Sequence, residues 1–222
     1  MNMHILNRID PVHKQAEHGS AHGLSPMDPP DAYAPPNMEP VPAQALHPFL
    51  RRLRDEHLPL MEELRAFEEA IRAIQDKGYT RESDAKLRHF FQFLDQEFAP
   101  HSRREEATLF PLLRERLIAS GEHGKGSDPA TATDVMQDEH AKAMQLAAVV
   151  VNFLGLVFRL PEQRSAMMVL DAALEQAKNL VELLRLHVFR EDNVVFPLAH
   201  RLLTASDFDA IQKEPAVAAD MG

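Results

Sequence analysis

The 222-residue chain has no cysteine. That excludes a disulfide scaffold, a thiolate zinc site, a cysteine-held iron–sulfur cluster and a cysteine nucleophile. Basic residues are few: Lys+Arg 24 against Asp+Glu 34 leaves a net charge of −10. A protein that tracks nucleic-acid phosphates or an anionic membrane needs the opposite balance, so neither partner is expected. Long hydrophobic runs are scarce as well. The first residues, Met1 to Arg8, hold no apolar stretch of signal-peptide length, and a cytoplasmic location is expected. The most apolar segment, Ala143 to Phe158, is interrupted by Gln145 and Asn152 and stops at Arg159. It reads as a buried helix, too short and too mixed to span a bilayer. Alternating strand patterns and a glycine-rich phosphate loop are also missing.

Proline divides what is there. Nine of the 16 prolines lie in the first 48 residues, several of them between Pro29 and Pro36. Proline lacks an N–H and clashes with the preceding helical turn, so residues 1–45 are predicted to form an extended arm. Its histidines, His4, His13, His18 and His22, read as solvated. Residues 46–205 are predicted to form a helical bundle, followed by a short segment and tail at 206–222.

Within 46–205 apolar residues recur at spacings of three and four, the signature of one helix face. Leu50, Leu53, His57, Leu60, Leu64, Phe67, Ile71 and Ile74 form the first stripe, and Gly78 ends it. Leu87, Phe91, Leu94, Phe98, His101, Glu105, Leu109 and Leu112 form the second. A glycine- and proline-rich loop near 121–129 precedes the third, Met136, His140, Met144, Ala147, Val151, Leu154 and Phe158. The fourth holds Leu170, Leu174, Ala177, Val181, Leu184, His187, Glu191, Val195 and Leu198. Four amphipathic helices with short first and third connections predict an all-α, antiparallel up-down four-helix bundle. Pro59, Pro100, Pro111 and Pro197 are expected to bend helices or mark their ends.

The two halves of the bundle repeat. Asp55-Glu56-His57 corresponds to Asp138-Glu139-His140. His101-x-x-x-Glu105-Glu106 corresponds to His187-x-x-x-Glu191-Asp192, and each is followed by Phe-Pro-Leu. The interval from the lone to the paired histidine is 44 residues in one half and 47 in the other. Such a match is the mark of a duplicated helical hairpin.

Six polar groups interrupt the apolar stripes: His57, His101, Glu105, His140, His187 and Glu191. A His and a Glu four apart project from one helix face. A buried carboxylate without a partner costs several kcal/mol, against a whole-domain stability of ~5–15 kcal/mol. No Lys or Arg lies in phase to neutralise the two, whereas a cation would. Four imidazoles and two carboxylates suit iron, zinc, manganese or copper. They exceed a closed tetrahedral zinc site and match two metals sharing the carboxylates as bridges. The order His-then-Glu differs from the Glu-x-x-His of ferritin-like sites. Glu56, Glu106, Glu139 and Asp192 lie about 100° off the ligand face and are expected in solvent. Met61 and Met144 read as core packing. Glu97, four residues before His101, is either exposed or turned toward the centre.

At these residues the sequence resembles the hemerythrin-like, or HHE cation-binding, family. The resemblance covers about residues 46–203. It rests on the order His, His-x-x-x-Glu, His, His-x-x-x-Glu and on the trailing Leu-Phe-Pro-Leu (109–112) and Val-Phe-Pro-Leu (195–198). It implies an up-down four-helix bundle with a non-heme di-iron centre, oxo- or hydroxo-bridged, in which zinc or manganese can substitute. It departs at Met144, where the oxygen-carrying members have a further histidine, and this points away from a reversible carrier of that kind. The expected function is binding or sensing of O2 or NO, or protection against oxidative or nitrosative stress, through an open iron position. The alternatives are a di-iron oxidase or peroxide-decomposing enzyme, and an iron-dependent storage or interaction module. A small ligand such as O2, NO or peroxide is the expected partner, with a protein partner or a homo-oligomer also compatible.

Overall fold

The first long helix begins where proline permits it. In the computed structural model, which describes residues 41–125 and 129–213, Pro48 opens helix α1 (Pro48–Lys77), and the His47 ring accepts the Phe49 N–H at 3.3 Å. Proline at the first turn loses no intrahelical bond. Gly78, at φ 80°, ends the helix in a conformation that a side chain would strain. Thr80 and Ser83 exchange hydrogen bonds of 3.0 and 3.1 Å in a capping box and start α2 (Arg81–Phe93).

From α2 the chain continues through α3 (Ala99–Arg104) and α4 (Phe110–Ser120) as one helical path, interrupted by π-helical turns at Leu94–Phe98 and Glu105–Leu109. Next come α5 (Ala132–Val157) and α6 (Gln163–Arg190). A third π-helical turn, Glu191–Val195, leads into α7 (Phe196–Leu202), and α8 (Ala205–Lys213) closes the described chain. Among the described residues there is no strand, and the fold is an all-helical bundle. The arm histidines His4, His13, His18 and His22 and the tail beyond 213 lie outside the described residues.

The π turns give the prolines a sharper role than a bend or an end. Pro100, Pro111 and Pro197 each sit two residues beyond the end of such a turn. A proline ring crowds the carbonyl four residues back and offers it no N–H. The chain accommodates this by widening the preceding turn, so that the N–H of Ala99, Phe110 or Phe196 reaches back five residues to the carbonyl of Leu94, Glu105 or Glu191. Two of the three π turns therefore begin at the paired glutamates. Pro59 lies inside α1 with no such turn.

Two apolar cores fill the bundle. One includes Leu60, Leu64, Phe67, Phe90, Leu94, Phe98, Ala143, Leu184 and Val188, with Phe67 and Phe90 stacked at 3.9 Å. The other includes Leu46, Leu50, Leu53, Leu109, Phe110, Met136, Val195, Phe196 and Leu198. Helix α8 docks on this second core through Phe208 and Ile211, with the His47 ring stacked 4.1 Å from Phe208. The polar stripe residues fall between the cores. His57 separates Leu53 from Leu60, His140 separates Met136 from Ala143, and Glu191 separates Val188 from Val195.

Helix α5 departs from expectation. It is long and apolar enough to cross a membrane by length and composition, yet only 22% of its most apolar window is buried. Its inner edge is Met136, Glu139, His140, Ala143, Ala147, Val150 and Leu154. Met144, Val151 and Phe158, placed on the core stripe by periodicity, face outward. A stripe read at alternating threes and fours keeps only an approximate phase over 26 residues, and in a helix apolar on both sides the pattern does not reveal the drift.

Candidate metal centre

All six predicted residues meet in the layer between the two cores. His57, His101, Glu105, His140, His187 and Glu191 are each at most 4% exposed, and both glutamates are fully buried. Two tight donor groups form, His57 with His101 and Glu191, and His140 with His187 and Glu191. Within each group the candidate ligand atoms lie within 4.8 Å of one another. Glu191 Oε2 stands 3.0 Å from His57 Nε2 and 3.4 Å from His187 Nε2, while its Oε1 is 3.9 Å from His140 Nε2. Glu105 spans the same two histidine pairs more loosely, with Oε1 3.4 Å from His101 Nε2 and Oε2 3.6 Å from His140 Nε2.

These contacts are close without being hydrogen bonds. The Nε2 atoms of His57 and His101 and all four oxygens of Glu105 and Glu191 are buried and lack an aligned hydrogen-bond partner. His140 and His187 bring Nε2 to Nε2 at 3.1 Å, where at most one neutral imidazole can donate. Orphaned buried polar atoms each cost about 1–3 kcal/mol, more when charged. Once its protons are released, this set of donor atoms converging on a shared space is what a cation requires, and two cations flanked by shared carboxylates would satisfy all of them. The residues present therefore fit a two-metal centre.

The outer nitrogens are equally organised. His57 Nδ1 meets Asp192 at 2.9 Å, His101 Nδ1 meets Glu56 at 2.7 Å, His140 Nδ1 meets Glu106 at 2.7 Å, and His187 Nδ1 meets Glu139 at 3.2 Å. A carboxylate that accepts a hydrogen bond from Nδ1–H favours the neutral tautomer whose Nε2 lone pair is aimed inward, and it fixes the ring plane. Arg104 bonds Glu56 and Arg190 bonds Glu139, at matching places in the two halves. Of the four carboxylates expected in solvent, Glu56 is exposed as expected, Glu106 and Asp192 are half-buried and Glu139 is buried, and all four bond a ligand histidine, which the expectation did not include. A residue 100° off the ligand face of its own helix lies toward the neighbouring helix, where another ligand's outer nitrogen waits. The repetition of Glu-His and of Glu-Glu/Glu-Asp in both halves was the available signal.

The halves interlock at this layer. His57 takes Asp192 from the second half, and its ring stacks on Phe196 at 5.7 Å. His140 takes Glu106 from the first half and stacks on Phe110 at 5.9 Å. The two Phe-Pro-Leu motifs thus cover the lone histidine of the opposite half. Phe98 adds edge contacts to His140 and His187 at 5.8 and 6.0 Å.

Five of the six groups have their proton affinities displaced by their neighbours and by burial. Burial and the adjacent Glu191 charge push Glu105 well above the ordinary carboxylate range. Burial acts against an ionised Glu191 too, but the charges on His187, His57 and His101 hold it below that range. For His57, burial is outweighed by Asp192 and Glu191, which raise it to about 9. Burial and the nearby His187 lower His140 to about 4, and burial lowers His187 as well.

Beside His57 and His101 a cavity of about 60 Å³ opens, lined also by Glu56, Pro59, Leu60, Phe93, Glu97 and Phe98. Glu97 is exposed at this opening, not packed inside. Met61 and Met144, expected in the core, are each 39% exposed and do not line the cavity.

The chain is 27% identical over 158 residues to the iron-sulfur cluster repair protein YtfE of Cronobacter sakazakii, covering 71% of this chain and 65% of that protein. It is 29% identical over 113 residues to the protein of the same name from Citrobacter koseri, covering 51% and 46%. It thus spans less than two thirds of the length of these relatives. No solved structure matches the chain significantly. The model of the hemerythrin HHE cation binding domain matches residues 49–199, taking in every residue of the buried centre, and the chain belongs to that family.

Proposed function

We propose that this protein holds a non-heme di-iron centre. His57 and His101 would bind one iron, His140 and His187 the other, and Glu105 and Glu191 would bridge them. The observation that carries the reading is the set of buried, unpartnered Nε2 and carboxylate oxygen atoms converging in a layer sealed by apolar cores. Bound iron would supply redox-active Lewis-acid chemistry toward a small ligand.

The chain's own residues do the rest. Asp192, Glu56, Glu106 and Glu139 hold the outer nitrogens so that the inner ones face the centre. Phe98, Phe110 and Phe196 exclude water from the rings. The cavity beside His57 and His101 has room for a diatomic molecule such as O2 or NO. The function this supports is binding or sensing such a ligand in the cytoplasm, in protection against oxidative or nitrosative stress. The pairs Arg54–Asp192 and Glu68–Arg185 support opposite directions for the first and last long helices, as in an up-down four-helix bundle. Release of iron for repair of iron–sulfur clusters is the second reading, favoured by the names of the two relatives.

Metal content of protein purified from cells without added metal tests the first reading, together with spectra of the oxidised and reduced forms. Two irons per chain, with a spectrum that changes on adding azide or nitric oxide, is the expected result. One zinc per chain and no response to either ligand would overturn it. Transfer of iron to an apo-protein acceptor with no response to nitric oxide would favour the second.

A further inference from the structure

We infer that the outward face of α5 is a contact surface for a second copy of this chain. Between Lys142 and Arg159 there is no charged residue. Met144, Val149, Val151, Leu156 and Phe158 are 37–64% exposed. Between them runs an exposed seam of small and amide residues, Ala141, Gln145, Ala148, Asn152 and Gly155, at alternating spacings of four and three. That is the coiled-coil spacing, and small side chains at its seam let two helix backbones approach closely.

The duplication supplies an internal comparison. With His57 aligned on His140, the same seam on α1 reads Leu58, Glu62, Arg65, Glu69 and Arg72. All five are exposed, and four are charged. The same position in the fold is thus an ordinary solvated face in one half and stripped of charge in the other.

A second copy is the occupant the pattern fits. Along the seam the order small, amide, small, amide, small reads alike in both directions about Ala148. Ala141 and Gly155 lie seven residues away on either side, and Gln145 and Asn152 fall between. A two-fold axis crossing the helix at Ala148 pairs it with its own reverse, and a seam of this symmetry suits that antiparallel contact. The amides Gln145 and Asn152 each donate and accept, so they can pair across the dyad. A chain of net charge −10 repels its copy elsewhere, whereas a neutral stripe does not. A standard interface takes about 800 Å² from each partner, roughly 60% of it apolar, and the exposed apolar side chains along α5 offer on the order of 500 Å².

Sedimentation velocity of the metal-loaded full chain at micromolar concentration tests this. A dimer is expected. Ala148→Glu should weaken it at least about 100-fold, since like charges would meet on the dyad, with circular dichroism and metal content unchanged. Ala148→Arg should do the same, and an equimolar mixture of the two variants should dimerise again. Arg65→Glu, at the matching place on α1, should leave the dimer intact. Ala148→Cys should give a disulfide-linked dimer in air, with no background because the chain has no other cysteine. A monomeric wild type, or a dimer indifferent to Ala148→Glu, overturns the inference. So does flotation of a monomeric wild type with neutral phosphatidylcholine vesicles that Ala148→Glu abolishes, which would assign the face to lipid.

Discussion

His57 and Asp192, 135 residues apart in the chain, meet at 2.9 Å between His57 Nδ1 and a carboxylate oxygen. The contact joins one half of a duplicated sequence to the other. Its counterpart, His140 to Glu106 at 2.7 Å, joins them in the reverse sense. Because each half supplies the orienting carboxylate for the other's lone histidine, neither half completes a pair of oriented ligands alone.

Asp192→Ala should therefore weaken metal binding about 10- to 100-fold while leaving helical content intact, the usual effect of losing a carboxylate behind a ligating histidine. Glu106→Ala should act alike. Competition with a chelator of known affinity measures both, and unchanged affinity in either variant would show that the Nδ1 contact does not orient the ring.

Replacing an inner glutamate should be more severe. Glu105→Ala and Glu191→Ala are expected to abolish the two-metal stoichiometry with circular dichroism preserved, since each removes a carboxylate placed between both histidine pairs. Glu97→Ala changes an exposed side chain and should keep the metal. Elemental analysis of the three proteins, purified in parallel, is the check.

The aromatic lids should matter to the fold as well as to the centre. Phe110 and Phe196 are almost completely buried, and each stacks on a lone histidine. Phe196→Ala should destabilise the protein by about 3–5 kcal/mol, the usual cost of emptying a large aromatic site. Denaturant unfolding of the metal-free form gives the number directly.

Acid–base linkage supplies a further test. Asp192 and Glu191 outweigh burial and raise His57 from the ordinary 6.5 to about 9 in the metal-free fold. Its contribution to stability is complete below 6.5 and is lost as pH rises through about 9. Metal binding requires the neutral imidazole, so uptake at neutral pH should release a proton from His57. Calorimetry in buffers of different ionisation enthalpy counts it. A His57→Gln variant, loaded as far as it will bind, should release one proton fewer.

Much of the centre was legible in the chain. The stripe from Leu50 to Ile74, the capping pair Thr80 and Ser83, and the six polar intrusions are local or periodic features, and a helix translates them directly into faces. The duplicated Glu-His and Phe-Pro-Leu segments marked the centre twice over, and the absence of any in-phase Lys or Arg argued for a cation there. The sequence alone thus determined which residues had to be buried together, because period and burial cost are properties of a single helix. Only the tertiary structure decided their surroundings. Glu56, Glu106, Glu139 and Asp192 point off their own ligand face and gain meaning only from the helix alongside. The π turns before Pro100, Pro111 and Pro197 re-phase the helical segments after them by an amount periodicity does not carry. On α5, apolar on both sides, the choice of Met136 and Ala147 for the core and Met144 and Val151 for the surface was made by the helices packed against it.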